Sequence, residues 1–228
     1  MSRFISTHVR EGETAWDLGA DSGWFTLLLA QCVGRGGRVD SFEPFPSNVR
    51  RIKANMDLNR MTWINLNAVA VGAKSGKQFF VPPSDEAAGG LPFLRHCTSV
   101  GYLTKESNVG ALEVPQVTLD EYADTTGVRD LAFIKMDIEG SEVDALRGGR
   151  AVIDRFRPIL AVEYNRSTLE RAGSSIEELD ELIESYDYDR FLYDNRMRKL
   201  VLTEWSGKPD PEAVFNVFCL PRQPRKES

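Results

Sequence analysis

The stretch "WDLGADSGWFTLLLA", residues 16–30, sets an acid and two glycines directly ahead of an apolar run. "TAWDL" (14–18) reads as a short buried strand, and the run from about Gly23 to Val33 as a buried helix. "RVDSFE" (38–43) is then a second strand, entered from the turn "GRGG". Strand, glycine loop, helix and strand form the opening unit of an α/β protein with a mostly parallel sheet. In such a sheet ligands bind outside the carboxyl ends of the strands. The loop is expected to meet one, because Gly19 and Gly23 let backbone approach closely and the helix start offers unpaired N–H groups.

Glu43 ends the second strand, 20 residues beyond Gly23. An acid there accepts hydrogen bonds from both hydroxyls of a ribose. The loop order is D-x-G-x-x-x-G, with Ala20 and Asp21 where a dinucleotide fingerprint has its middle glycine. An aspartate there repels a pyrophosphate, whereas Asp17 and Asp21 suit a ligand bearing positive charge. S-adenosylmethionine, with its ammonium and sulfonium, fits this loop; NAD fits it poorly.

The alternation of strands and helices continues along the chain. A helix is expected from Pro46 to Asn59, with Pro46 in its first turn and Val49, Ile52 and Met56 on one face. Strands follow within 62–71, at "KQFFV" (77–81) and at "VPQVT" (114–118), the last read as a short edge strand before a helical turn at "LDEYA". "LAFIKMD" (131–137) is a strand with a helix after it from near Ser141. "PILAVEY" (158–164) is another, followed by an amphipathic helix over 174–186 and further strands at "RFLYDNRMRKLVL" and "VFNVFCL". Residues 82–113 lack periodicity and are expected to form a substrate loop or lid. Nothing divides the chain, so 1–228 reads as one domain.

The formal charge of −6 argues against nucleic acid and against an anionic membrane surface as partners. "MSRFISTHVREGE" lacks the apolar core of a signal peptide, and the run from Trp24 to Val33 is too short to span a bilayer. Cys32, Cys97 and Cys219 lie far apart, as in a reducing cytoplasm. Cys32 and Cys219 sit in apolar stretches and are expected to be buried. His8 lies near the start of the chain and His96 in the long loop; His96 reads as a surface residue.

Six segments together resemble the FkbM-type S-adenosylmethionine-dependent methyltransferases. They are "DLGADSGWFT" (17–26), "SFEPFPSNVRRIKANMDLN" (41–59), "NAVAVGAKSG" (67–76), "VTLDEYA" (117–123), "IKMDIEGSEVDALRGG" (134–149) and "PILAVEYN" (158–165). The pairing of "FEP" with "KMDIEGSE" is the specific part. The resemblance implies a class I, Rossmann-like methyltransferase fold: a mostly parallel seven-stranded sheet, helices on both faces, and the last strand antiparallel. It implies cofactor contacts from Asp17, Gly19, Ala20, Gly23, Glu43 and Asp137, with adenine near Asn67 and Ala68. It also implies methylation of a hydroxyl on a sugar, glycoside or polyketide-type small molecule. Asp21 departs from the family's more frequent asparagine. The chain starts a few residues before its first strand, so helical cover there is expected to be short or absent, and a homo-oligomer is one way of closing the site.

An aliphatic hydroxyl is a poor nucleophile unless a base or a metal assists it. Asp137 and Glu139 are the expected catalytic acids, because the family motif falls on them at a strand end. Glu142 reads instead as an acid complementing a helix N-terminus. Asp137 and Glu163, on neighbouring strand ends, could also hold Mg²⁺ with an oxygen of Asn165. The metal-free arrangement is favoured, because no third anionic ligand is evident. A nucleic-acid methyltransferase would want a ring to stack an extruded base where this chain has "DIEG". A protein that binds the cofactor without turnover is the remaining alternative.

Overall fold

The computed structural model describes residues 1–82, 101–104, 110–194, 199–202 and 214–222. A short helix, α1 (Ser2–His8), leads into β1 (Thr14–Leu18), α2 (Trp24–Val33), β2 (Arg38–Phe42), α3 (Pro46–Asn59) and β3 (Ile64–Asn67). Next come β4 (Ala70–Val71), β5 (Gly76–Val81), β6 (Tyr102–Thr104), β7 (Leu112–Val117) and α4 (Leu119–Thr126). The second half holds β8 (Phe133–Met136), α5 (Glu142–Arg147), α6 (Arg150–Phe156), β9 (Ile159–Asn165), α7 (Arg166–Ala172) and α8 (Ile176–Ser185). It closes with β10 (Tyr188–Asp194), β11 (Lys199–Leu202) and β12 (Val214–Pro221).

The main sheet runs β11-β10-β12-β9-β8-β1-β2-β3. Seven of these strands form the expected sheet: β3, β2, β1, β8 and β9 are parallel, and β12 is inserted antiparallel between β9 and β10. The eighth, β11, extends the β10 edge as an antiparallel partner. Side chains alternate across the sheet, as strand geometry requires. Trp16, Leu18, Ile134, Met136, Leu160 and Val162 face one core, shared with α4, α5 and α8. Ala15, Phe133 and Ala161 face the other, beneath α1 and α2.

Several expectations change. The region 62–71 is two strands in different sheets, because β3 joins the main sheet and β4 pairs with β7. β7 is not an edge strand: it lies between β4 and β5 in a separate four-stranded sheet, β4-β7-β5-β6. It tolerates Pro115 because β4 pairs only with Gln116 and Val117. The stretch 82–113 is not all loop, since it holds β6 and the start of β7; residues 83–100 and 105–109, with His96 and Cys97, lie outside the described residues. α1 supplies short helical cover by burying Phe4 and Ile5, and His8 stacks on Phe4. Cys219 is buried as expected, but Cys32 is only half-buried. Among the described residues, no helix is long and apolar enough to cross a membrane.

Candidate functional site

The α2-facing side of the sheet carries a row of polar residues toward its carboxyl end. Asp17 on β1 stands in register with Lys135 on β8, and Lys135 with Ala161 on β9. One step further along, the period of two brings Gly19, Asp137 and Glu163 to the strand ends. Asn216 of β12, in register with Glu163, continues that row.

Each loop glycine answers a demand of the protein itself. Gly19 has φ +77°, and a Cβ there would lie 1.9 Å from the Asp137 carbonyl oxygen. Gly23 has φ +88° and would press its Cβ to 3.0 Å from Ile52 Cγ1. The loop is tied to β2, because Gly19 and Ala20 both donate N–H to the Phe42 carbonyl. Ala20 is buried beneath it, and Asp21, in the left-handed region at φ +46°, stands exposed on its rim.

Glu43 is buried just past the end of β2. Its Oε2 accepts the Asp21 N–H at 2.8 Å and its Oε1 the Phe45 N–H at 2.8 Å. The Asn48 side chain gives the carboxylate a further hydrogen bond, and the remaining accepting capacity is what the expected ribose role would use. Burial, and secondarily Asp21, push its pKa up to about 7 against the opposing pull of the two N–H bonds. Asn67 sends its side chain into the sheet, donating to the Ser41 carbonyl and to Tyr122 Oη, each at 3.2 Å. Ala68 lies exposed beside it.

Asp17 is fully buried. It accepts the Thr26 hydroxyl at 2.6 Å, and its other oxygen lies 3.2 Å from Lys135 Nζ. Its charge is therefore met from inside the protein. Lys135 also reaches Asp137 at 3.5 Å and donates to the Gly19 carbonyl at 3.2 Å. Lys135 is not among the site residues expected from the sequence. Its signal was a cation inside the apolar run "FIKM", where no solvated face was available for it.

Beyond β8 the chain makes a tight loop through Glu139, at φ +55°, and Gly140, at φ +104°. A Cβ on Gly140 would lie 2.2 Å from the Thr168 carbonyl oxygen of α7. Glu142 holds the loop from beneath: its two carboxylate oxygens accept the Ile138 N–H at 2.9 Å and the Gly140 N–H at 3.0 Å. Arg171 holds it from above, donating to the Glu139 carbonyl at 3.3 Å while packing 4.1 Å from the centre of the Tyr102 ring.

This loop turns Glu139 toward its neighbours. Asp137, Glu139 and Glu163 bring one carboxylate oxygen each within 4.8 Å of one another. The third anionic group judged absent from the sequence is thus present, delivered by the left-handed residue. The side-chain oxygen of Asn165 is engaged in capping α7, accepting the Ser167 hydroxyl at 2.9 Å and the Thr168 N–H at 3.4 Å, while Asn165 also hydrogen-bonds Glu163. Burial, followed by the neighbouring carboxylates, pushes Glu139 and Glu163 up to about 7; Lys135 pulls both the other way.

The family model for the FkbM methyltransferase domain matches residues 17–190, a span that contains the glycine loop, Glu43 and the acid cluster. The chain belongs to this family. Its FkbM domain is 26% identical over 146 residues to a hexuronic acid methyltransferase of Haloferax volcanii, covering 64% of this chain and 54% of that protein. It is 24% identical over 180 residues to a 2-O-methyltransferase of Sinorhizobium fredii, covering 75% of this chain and 71% of that one. Among solved structures, an FkbM methyltransferase from Methylobacillus flagellatus matches with a TM-score of 0.55 at 18% identity, covering 96% of this chain and 50% of its own. That likeness establishes the class I methyltransferase fold. The chain spans about half the length of the first of these relatives.

Proposed function

We propose that this chain is an S-adenosylmethionine-dependent O-methyltransferase acting on a hydroxyl of a sugar or sugar-bearing small molecule. The observation that carries the reading is the carboxylate cluster of Asp137, Glu139 and Glu163, set at the strand ends beside the glycine loop and Glu43. The hexuronic acid methyltransferase among its relatives supports the sugar class.

When bound, S-adenosylmethionine supplies an electrophilic methyl group. Glu43 would receive its ribose hydroxyls, and the loop from Gly19 to Gly23 would line the amino-acid end. The exposed Asp21 at this loop disfavours a pyrophosphate. An acceptor hydroxyl has a pKa near that of bulk water, about 15.7, so its proton must leave as the new bond forms. Glu139, with a pKa of about 7, suits a base working near neutral pH. Asp137 would accept a hydrogen bond from a neighbouring hydroxyl of the sugar and so aim the acceptor, while Glu163 shares the negative field.

Calorimetry is expected to give S-adenosylhomocysteine binding at about micromolar strength and none for NAD; the reverse result refutes the reading. With methyl glucuronide and methyl glucoside as probe acceptors, Asp137→Asn and Glu139→Gln are each expected to lower turnover by about 10²–10⁴. Cofactor affinity should hold in both variants. The close approach of three carboxylates also favours a second reading, a divalent cation such as Mg²⁺ held by Asp137, Glu139 and Glu163. EDTA decides between them: unchanged turnover supports the base, and loss restored by added Mg²⁺ supports the cation.

A further inference from the structure

Lys135 has contacts that a structural ion pair does not need. Its side chain is 2% exposed, and its ammonium group lies near three oxygens from two strand ends: it donates to the Gly19 carbonyl at 3.2 Å and pairs with Asp17 Oδ1 at 3.2 Å and Asp137 Oδ2 at 3.5 Å. The Phe25 ring closes another side, 5.1 Å away. Burying a charged pair in a sheet core contributes little stability over an apolar pair of similar volume. Asp17 alone would balance the charge. The additional contact goes to Asp137, which is 30% exposed and belongs to the acid cluster.

We infer that Lys135 is a positioning residue, which fixes the glycine loop and the Asp137 carboxylate in one frame so that methyl donor and acceptor hydroxyl are held in line. This rests on the reading of the site given above. In-line displacement is sensitive to small misplacement of the reacting groups. Lys135 grips the donor side through the Gly19 carbonyl and the acceptor side through Asp137, with Asp17 as its buried anchor. It is not the base itself: although burial disfavours its charge, Asp17 and Asp137 outweigh that and raise its pKa above the ordinary lysine value.

The decisive variant is the double substitution Asp17→Asn with Lys135→Met, which removes both buried charges together. The single Lys135→Met would strand Asp17 and confuse misplacement with unfolding. The double variant is expected to melt close to the parent and to lose about 30-fold or more in turnover, well beyond any loss of S-adenosylhomocysteine affinity, with acceptor KM changed less than about threefold. Turnover within about threefold of the parent would overturn the proposal, as would a loss matched by an equal loss of cofactor affinity.

A crystal structure of the double variant with S-adenosylhomocysteine gives a readout that needs no acceptor. The Asp137 carboxylate is expected to have left its parent position; an unmoved carboxylate, or a chain that no longer folds with the charge pair neutralised, overturns the proposal. If the parent methylates neither probe, the acceptor reading fails while this comparison still decides the role of Lys135.

Discussion

Glu142 lies under the acid loop with both carboxylate oxygens taken by backbone N–H groups. Gln at this position keeps one acceptor and turns an amide N–H₂ toward the other donor. One buried N–H is then left unpaired, at a cost of about 1–3 kcal/mol. Glu142→Gln is therefore expected to lower unfolding free energy by that amount in urea titration, and to lower turnover through the displaced Glu139. Unchanged stability and turnover would show that the loop holds its shape without Glu142. From the sequence this residue read as a helix-start acid, which it also is. Its grip on Ile138 and Gly140 was not legible, because nothing in "DIEGSE" tells that Glu139 and Gly140 adopt left-handed conformations. Asp137 and Glu139 were legible from their motif at a strand end. Their approach to Glu163 depends on the β8–β9 register, which pairs residues far apart in the chain.

At the scale of elements, the first strand–loop–helix unit was read almost to the residue, and its glycines explain why. Strong punctuation and strong periodicity coincide there: "TAWDL" is β1, and Pro46–Asn59 is α3 to both ends. Weak punctuation failed. α7 went unseen although Asn165 caps its start and Gly173 its end, because a seven-residue helix offers too few turns for a period to emerge. β4 went unseen because two residues carry no alternation. Gly19→Ala tests the loop directly. The new Cβ would meet the Asp137 carbonyl oxygen, and φ +77° is itself costly for an L side chain. The left-handed conformation alone contributes about 1–2 kcal/mol, so a stability loss above that figure is expected, together with weakened S-adenosylhomocysteine binding. A variant as stable as the parent would mean that β1 and β8 can part without strain.

For the molecule as a whole, four buried or half-buried glutamates, Glu43, Glu139, Glu142 and Glu163, have pKa values pushed up to about 7, in each case by burial first. The folded protein therefore holds these protons more tightly than the unfolded chain, whose glutamates titrate near 4.3. Their stabilising contribution is complete below that value and is lost as pH rises through about 7. The melting temperature of the ligand-free protein is accordingly expected to fall between about pH 4.3 and pH 7 and to level off above. Scanning calorimetry checks this, and a melting temperature that climbs over the same interval would refute it.

The antiparallel strand Val214–Pro221 pairs with β9 on one side and β10 on the other. During synthesis, β9 and β10 leave the ribosome well before the strand that must come between them. Until then β9 presents an unpaired edge, open to the wrong neighbour, including β10 itself. A nascent chain thus cannot complete its sheet until residue 221 has emerged. A chain interrupted before Val214 keeps the β9 edge open, a consequence of the position of that one strand.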